Sequence, residues 1–217
     1  AWITFLGAEG YLGRRLLISL LVTIWGLRLA LHIGMRSWGK GEDRRYQAWR
    51  RQYGEKFWWV SLFTVFLLQG ALLWVISLVA QAGQWSPKPD RFIWLDGAGL
   101  ILWAVGFFFE AMGDYQLAVF KKNPANKGKA MAQGLWRYTR HPNYFGECLM
   151  WWGIFLVTLA TPGSLWAIVS PITITFLLLK VSGVTLLERT IVETRPEYRD
   201  YQERTSAFIP WFPKRGK

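Results

Sequence analysis

FWWVSLFTVFLLQGALLWVISLVAQ, Phe57 to Gln81, runs for 25 residues without an ionisable acid or base. A helix of that length rises ~37 Å at ~1.5 Å per residue, enough to cross ~30 Å of hydrocarbon. A second uncharged run, Cys148 to Leu179, is interrupted only by Thr161-Pro162-Gly163-Ser164, a turn signal between two further spans. Outward from these stretches, the apolar pattern places spans near 12–34, 57–80, 93–119, 143–160 and 165–187. The expected fold class is therefore all-α: a polytopic transmembrane helical bundle of about five spans, one domain over residues 1–217. Tyr198, Tyr201, Thr205 and Phe208 share one side of a short helix beyond it, which suits the membrane interface. The opening AWITFLGAEG resembles the tail of an apolar segment, so upstream helices are expected before Ala1.

The chain has 217 residues, 52% hydrophobic, with 15 tryptophans and a formal net charge of +12. So basic a chain raises the question of nucleic acid, and the placement of the charge answers it. Segments 35–56, 120–142 and 188–217 hold 7, 6 and 7 Lys or Arg, whereas residues 1–11 and 81–92 with Arg14 and Arg15 hold 4. Such alternation is the positive-inside pattern. It places the basic loops and the C-terminus in the cytoplasm, and argues for a lipid bilayer as partner and against nucleic acid. The single cysteine, Cys148, excludes an internal disulfide and a cysteine metal cage; no metal is expected.

Polar groups inside the spans are the functional signal, because a lone charge facing lipid is expensive. Arg28, His32 and Arg36 form a stripe at i, i+4, i+8; Glu110 and Asp114 share a face four apart, as do Asn143 and Glu147. Gly99, Gly106 and Gly113 repeat every seven residues, which reads as close helix packing. The economical arrangement is one wet pocket shared by Glu110, Asp114, Asn143, Glu147, Lys180, Glu188, Arg28 and His32. Arg36, Lys121, Arg137, Arg140 and Arg195 would ring its mouth and favour an anionic ligand, since guanidinium forks suit phosphate. The helix opening at Pro142 adds backbone N–H groups there. A nucleotide with its phosphates at the mouth fits this gradient, and a lipid head group fits it almost as well. Taken alone, Arg137 and Arg140 suit anchoring to anionic lipid as well as ligand contact. His141, just before Pro142, suits a structural hydrogen bond, and Tyr144 and Trp151 suit an aromatic belt.

LWRYTRHPNYFGE (Leu135–Glu147), closed by RPEYRDYQERTSAFIPWFP, resembles the steroid 5-alpha-reductase C-terminal-domain superfamily, as does WGLRLALHIGMRSWGKGEDRRYQAWR near the start. The likeness is to the bacterial integral-membrane branch and covers nearly the whole chain. A related RHPxYxG element occurs in isoprenylcysteine carboxyl methyltransferases. The resemblance implies an NADPH-dependent oxidoreductase that reduces an activated carbon–carbon double bond in a lipid-soluble, steroid- or enone-like substrate. By it, Asp114 in GFFFEAMGD matches the family's aspartate, with Gly113 where serine is usual, and Asn143, Gly146 and Glu147 match the NxxGE element, which lies by the nicotinamide half of NADPH. Lys121, Arg36 and Tyr198 fall where phosphate and adenine contacts are expected, with Arg137, Tyr138, Arg140, His141 and Arg195 also on the cofactor side. Three departures stand out: the substrate-holding glutamate of an early helix has no counterpart in this chain, Trp25 stands at the place of a tyrosine, and Glu110 replaces an asparagine. They speak against a 3-oxosteroid.

Reduction needs an acid to meet the developing enolate, and Glu110, Tyr144 and His32 are the candidates, unranked. A second reading is an S-adenosylmethionine-dependent methyltransferase acting on a lipid or an isoprenylcysteine-like substrate, although a cationic sulfonium sits poorly among so many arginines. A third is a non-catalytic lipid-binding scaffold. The loop 35–56, the most charged, is the expected lid.

Overall fold

The computed structural model describes residues 1–39, 41–181, 184, 188 and 198–214, apart from the side chains of 44 and 45. Among them every regular element is helical. α1 (Trp2–Gly7) lies against α2 (Leu12–Ser37), and α3 (Arg44–Tyr53) leads through a short 3₁₀ turn into α4 (Phe57–Ser61). A π-helical turn over Leu62–Leu67 joins α4 to α5 (Leu68–Ala82). α6 (Trp94–Lys122) and α7 (Pro142–Leu159) form the central pair; α8 (Val169–Phe176) and the short α9 (Tyr198–Arg204) follow.

Four helical stretches are long and apolar enough to cross a membrane: Leu12–Ser37, Tyr46–Ala82, Trp94–Lys122 and Ser164–Val181. The fifth expected span is present as α7, but with a different character. Its 18 residues begin with the polar run Pro142–Glu147, and ten of them are buried, so it is a central strut wrapped by other helices rather than a lipid-facing span. A second correction concerns loop 35–56. Its second half continues the second span as helix, from Tyr46 onward, because the ten residues RRYQAWRRQY contain no Gly or Pro to stop it.

The expected glycine packing explains how α6 and α7 pair. A Cβ on Gly99 would lie 2.6 Å from the Gly153 carbonyl oxygen, and one on Gly106 would lie 2.6 Å from that of Gly146. Gly113 in turn meets Pro142 and Asn143. Ascending glycines on α6 thus meet descending positions on α7, so the helices run antiparallel with their backbones in contact. This approach matters in a bilayer, where lipid tails supply no hydrophobic drive between helices and association depends on close packing and interhelical hydrogen bonds. Such bonds are present: Thr158 Oγ1 donates to the Val79 carbonyl at 2.9 Å, and Ser170 Oγ donates to that of Val75 at 2.8 Å.

Around this pair a core forms from Ile18 and Leu21 of α2, Val79 of α5, Trp103 of α6, Met150 and Ile154 of α7 and Ile174 of α8. Trp58, Trp59, Phe63, Phe66 and Trp74 are exposed on the second span, as expected where the solvent is hydrocarbon. One polar link closes the end opposite the basic loops. Arg14, placed by its position at a helix start near the interface, is instead 1% exposed and forks onto Asp96, Nε to Oδ1 at 2.8 Å and Nη2 to Oδ2 at 3.0 Å. Asp96 Oδ2 also accepts from the Ile93 N–H at the start of α6.

Candidate functional site

The glycine contacts set the register that builds the site. With Gly113 against Pro142 and Asn143, and Gly146 against the backbone of Glu110, the acids of α6 face the amide and acid of α7. Asn143 Nδ2 donates to Asp114 Oδ1 at 3.1 Å. Glu147, one turn further along α7, lies within electrostatic reach of Asp114, Glu110 and Arg28.

α2 contributes the hub. Arg28 donates through Nη1 to Glu110 Oε1 at 2.5 Å and through Nη2 to the Glu110 carbonyl at 3.0 Å and to Asp114 Oδ2. The i, i+4 stripe does turn inward, and His32 Nε2 lies 3.6 Å from Asp114 Oδ2. Arg36, the third member, is exposed. Sequence reasoning recognised Arg28 only as part of a stripe; its role as the partner of both α6 acids needed the packing of α2 on α6.

The inner end of this cluster is aromatic. Trp25, one turn deeper than Arg28, meets Trp151 edge to face with ring centres 5.2 Å apart. Asn143 Oδ1 is buried and makes no hydrogen bond among the described residues, while the buried Trp25 indole and Glu110 carboxyl interact with each other at less than ideal hydrogen-bond geometry. Buried polar atoms in folded proteins are almost always paired, so the open Asn143 oxygen is the atom of this cluster that would suit a donor from a ligand. The charges are unbalanced as well: Glu110, Asp114 and Glu147 face one guanidinium, with His32 at the edge.

The RHPNY motif feeds two different places. Its asparagine enters the cluster, while Arg140 and His141 turn the other way, toward Glu188. Arg140 Nε and Nη2 reach the Glu188 oxygens at 2.6 and 2.9 Å, and its Nη1 donates to the carbonyls of Gln202 and Thr205. His141 Nε2 stands 3.0 Å from Glu188 Oε1, and Tyr144 stacks on the His141 ring at 5.4 Å. Burial by itself would raise the Glu188 carboxyl, but hydrogen bonds from His141 and Arg140, with their charges, hold it down at about 2. Both side chains suspected of ligand contact are therefore engaged in a clamp that ties the C-terminal segment to the start of α7. The expectation that Glu188 shares a pocket with Asp114 and Asn143 does not hold in this arrangement; nothing in the sequence pairs it with Arg140, 48 residues away. Lys180 lies one residue before the end of the Ser164–Val181 stretch and makes no ion pair with the acids of the site among the described residues.

The clamp is reinforced along the chain. Thr139 Oγ1 donates to the Phe208 carbonyl at 2.8 Å, the Trp211 N–H to that of Tyr138 at 2.9 Å, and the Tyr201 hydroxyl to that of Trp136. Tyr138 itself is exposed, its ring against Phe212, and Tyr198 is buried against Tyr201. Burial pushes the Tyr201 phenol upward, so it remains a hydrogen-bond donor.

Two clefts open at the basic end. One, of about 720 Å³, is lined by Lys129, Arg137, Asp200, Tyr201 and Arg204 among others. The second, of about 350 Å³, includes Lys121, Lys122, Lys127 and Lys129. Neither is lined by Asp114, Asn143 or Glu147, so the clefts flank the acidic cluster rather than enclose it. Arg137 and Lys121, expected at one mouth, lie in different clefts; Arg195 lies outside the described residues. Among those residues no group of His, Cys, Asp and Glu is arranged to hold a metal.

A family model described as "Protein of unknown function (DUF1295)" matches residues 1–205. A probable O-methyltransferase, ustE, of Ustilaginoidea virens is 50% identical over 46 residues, 21% of this chain and 16% of that protein. An uncharacterized protein of Schizosaccharomyces pombe is 26% identical over 183 residues, 78% of this chain and 41% of that protein. The chain therefore spans less than half the length of either relative. No solved structure matches it.

Proposed function

The chain belongs to the DUF1295 family, and within it we propose an NADPH-dependent membrane reductase acting on an activated carbon–carbon double bond of a lipid-soluble substrate. The observation that carries the reading is the meeting of Asn143 and Glu147 with Asp114 and Glu110, with the Asn143 acceptor left open. That acceptor suits the amide N–H of a carboxamide, and Glu147 and Asp114 suit ribose hydroxyls, because ionised carboxylates only accept. The phosphates belong at the larger cleft beside the start of α7, where Arg137, Arg204 and Lys129 gather. When bound, the nicotinamide supplies hydride chemistry.

The chain's own residues do the rest. Arg28 fixes the rotamers of Glu110 and Asp114, and the low exposure of these side chains strengthens their charge interactions. Of the three acids considered, Glu110 is best placed to exchange a proton with substrate: its Oε1 is held by Arg28, and the carboxyl otherwise meets the neutral Trp25 indole. Tyr144 is stacked in the clamp, and His32, partly exposed beside Asp114, suits proton supply from the basic end. By the positive-inside pattern that end is cytoplasmic, and the likeness to the bacterial branch of the superfamily implies a bacterial inner membrane.

A methyl-transfer reading has two specific supports: the excess of carboxylates over the single guanidinium would favour a sulfonium, and one relative carries an O-methyltransferase name. Titrating purified protein with NADPH, NADH and S-adenosylmethionine distinguishes the two. Quenching of the tryptophans with energy transfer to NADPH is the expected result; saturable binding of S-adenosylmethionine without NADPH binding would replace reduction by methylation.

A further inference from the structure

A further buried polar atom lies open deeper in the bundle, on α6. Arg14 pairs with Asp96 and Arg28 with Glu110, each pair 82 residues apart in sequence. The two helices therefore run parallel in one register, tied toward both ends of their contact. By that register Leu21 and Trp103 stand at one level, seven residues from each tie, and both belong to the buried core. Trp103 is 6% exposed, and its indole N–H makes no hydrogen bond among the described residues. An aromatic belt does not account for it. Trp103 stands ~14 Å along a helix ~43 Å long, well inside the interface where indole N–H groups reach water. Nor does a buried water, which needs two or more polar partners, because the core that Trp103 shares with Leu21, Met150 and Ile154 is apolar.

Trp25 and Phe107 are likewise 82 residues apart, and by the same register they stand between Trp103 and the Arg28–Glu110 tie. Phe107 stacks on Trp103 with ring centres 5.0 Å apart, and the Trp25 indole meets the Glu110 carboxyl. Rings thus occupy the way from the acid to the open donor. Rings can change rotamer and turn aside, which the backbone contact of α6 with α7 cannot do. Resting on the reductase reading, the geometry points to Trp103 as the donor that holds an oxygen in the tail of the lipid-soluble substrate while the enone oxygen meets Glu110. Trp103 and Glu110 lie seven residues apart on one face of α6, two turns or ~10 Å. The substrate class is therefore a molecule with two oxygen acceptors about that far apart, joined by an apolar body that lies along Trp25 and Phe107. The indole selects for the second oxygen because a tail without it leaves the N–H unpaired where no water competes for it.

The test uses two probes: a cyclohexenone carrying an octyl chain, and the same molecule with a ketone on the chain about 10 Å from the enone oxygen, the two-turn spacing. Binding to the purified protein is measured by calorimetry without nucleotide, so its outcome is separate from that of the cofactor titration. Wild type should bind the keto-chain probe about tenfold more tightly, the scale of one hydrogen bond to a donor otherwise unpaired. The isotope-labelled chain carbonyl should also stretch at lower frequency in the protein than in detergent alone. Trp103→Phe, which keeps a ring against Phe107, should bind both probes alike and show no shift; if it fails to fold, the wild-type comparison and the stretch stand by themselves. Equal affinity of wild type for the two probes, failure of both to bind, or undiminished preference in Trp103→Phe would overturn the proposal. Equal affinity in a protein that binds NADPH would remove this inference alone. A keto-chain preference in a protein that does not bind NADPH would leave the role of Trp103 standing and overturn the reductase reading.

Discussion

Replacing Arg28 by Met removes the one cation that holds Glu110 and Asp114 together. The stem of Met fills part of the space of the arginine, so the change reads charge more than volume. Arg28 makes two ion pairs and a further bond to the Glu110 carbonyl, with its side chain 15% exposed and those of the acids 4% and 12%. Breaking a buried pair by removing one partner costs ~3–5 kcal/mol, because the remaining charge is left uncompensated. Here two acids are left, with Glu147 nearby, so the upper half of that range is expected. For a chain of this size each kcal/mol moves the melting temperature by roughly 2–4 °C, giving a fall of about 8–20 °C. Tryptophan fluorescence or size-exclusion survival in detergent would measure it. The decisive comparison is R28M/E110Q/D114N, in which the acids become neutral amides of the same shape. It should regain at least half of the loss. A fall under about 1 kcal/mol in R28M, or no recovery in the triple variant, would refute the view that Arg28 neutralises a buried acidic cluster.

Gly106→Val should destabilise by about 1–3 kcal/mol or more, since the new side chain meets α7 backbone that cannot move aside, whereas Gly70→Ala, with nothing within 4 Å, should be neutral or better in the same melts. Asn143→Ala and Asp114→Ala should each weaken NADPH binding by roughly 10- to 100-fold, the effect of losing charge-assisted hydrogen bonds worth ~1.5–3 kcal/mol; unchanged affinity by calorimetry would remove both from the site. The clamp should be acid-labile. The Glu188 carboxyl lies at about 2 in the folded protein against an ordinary 4.5, so its contribution is complete above the ordinary value and disappears as pH falls from ~4.5 toward ~2. Melting temperature should therefore decline more steeply over that window in wild type than in Glu188→Gln, and equal slopes would count against the clamp.

The spans were legible because a bilayer imposes a simple demand, an uncharged helix of sufficient length, and Phe57–Gln81 meets it without reference to any other residue. Asp114 and Asn143 were legible as a cluster for a related reason: polar groups sunk in hydrocarbon must find one another. The same rule failed for Arg140 and His141. Their local setting, a basic motif before a helix start, fits a ligand as well as it fits Glu188, and only the return of the C-terminal segment across residues 134–141 decides between them. Arg14 and Asp96 were missed because each, alone, resembles an ordinary boundary residue. The helical character of 46–56 was missed because charge was taken as a sign of loop, although helix propensity there is high.

The sequence by itself determined that this protein is a helical membrane bundle and that acids, an amide and an arginine lie at one depth within it, since hydropathy and helical periodicity act along the chain. Tertiary structure decided which of those groups touch. The close approach of α6 and α7 through Gly99, Gly106, Gly146 and Gly153 sets a register to within one turn, and a shift of one turn, ~5.4 Å, would part Asn143 from Asp114. Partner choice between distant residues is a property of that packing, and no single helix contains it.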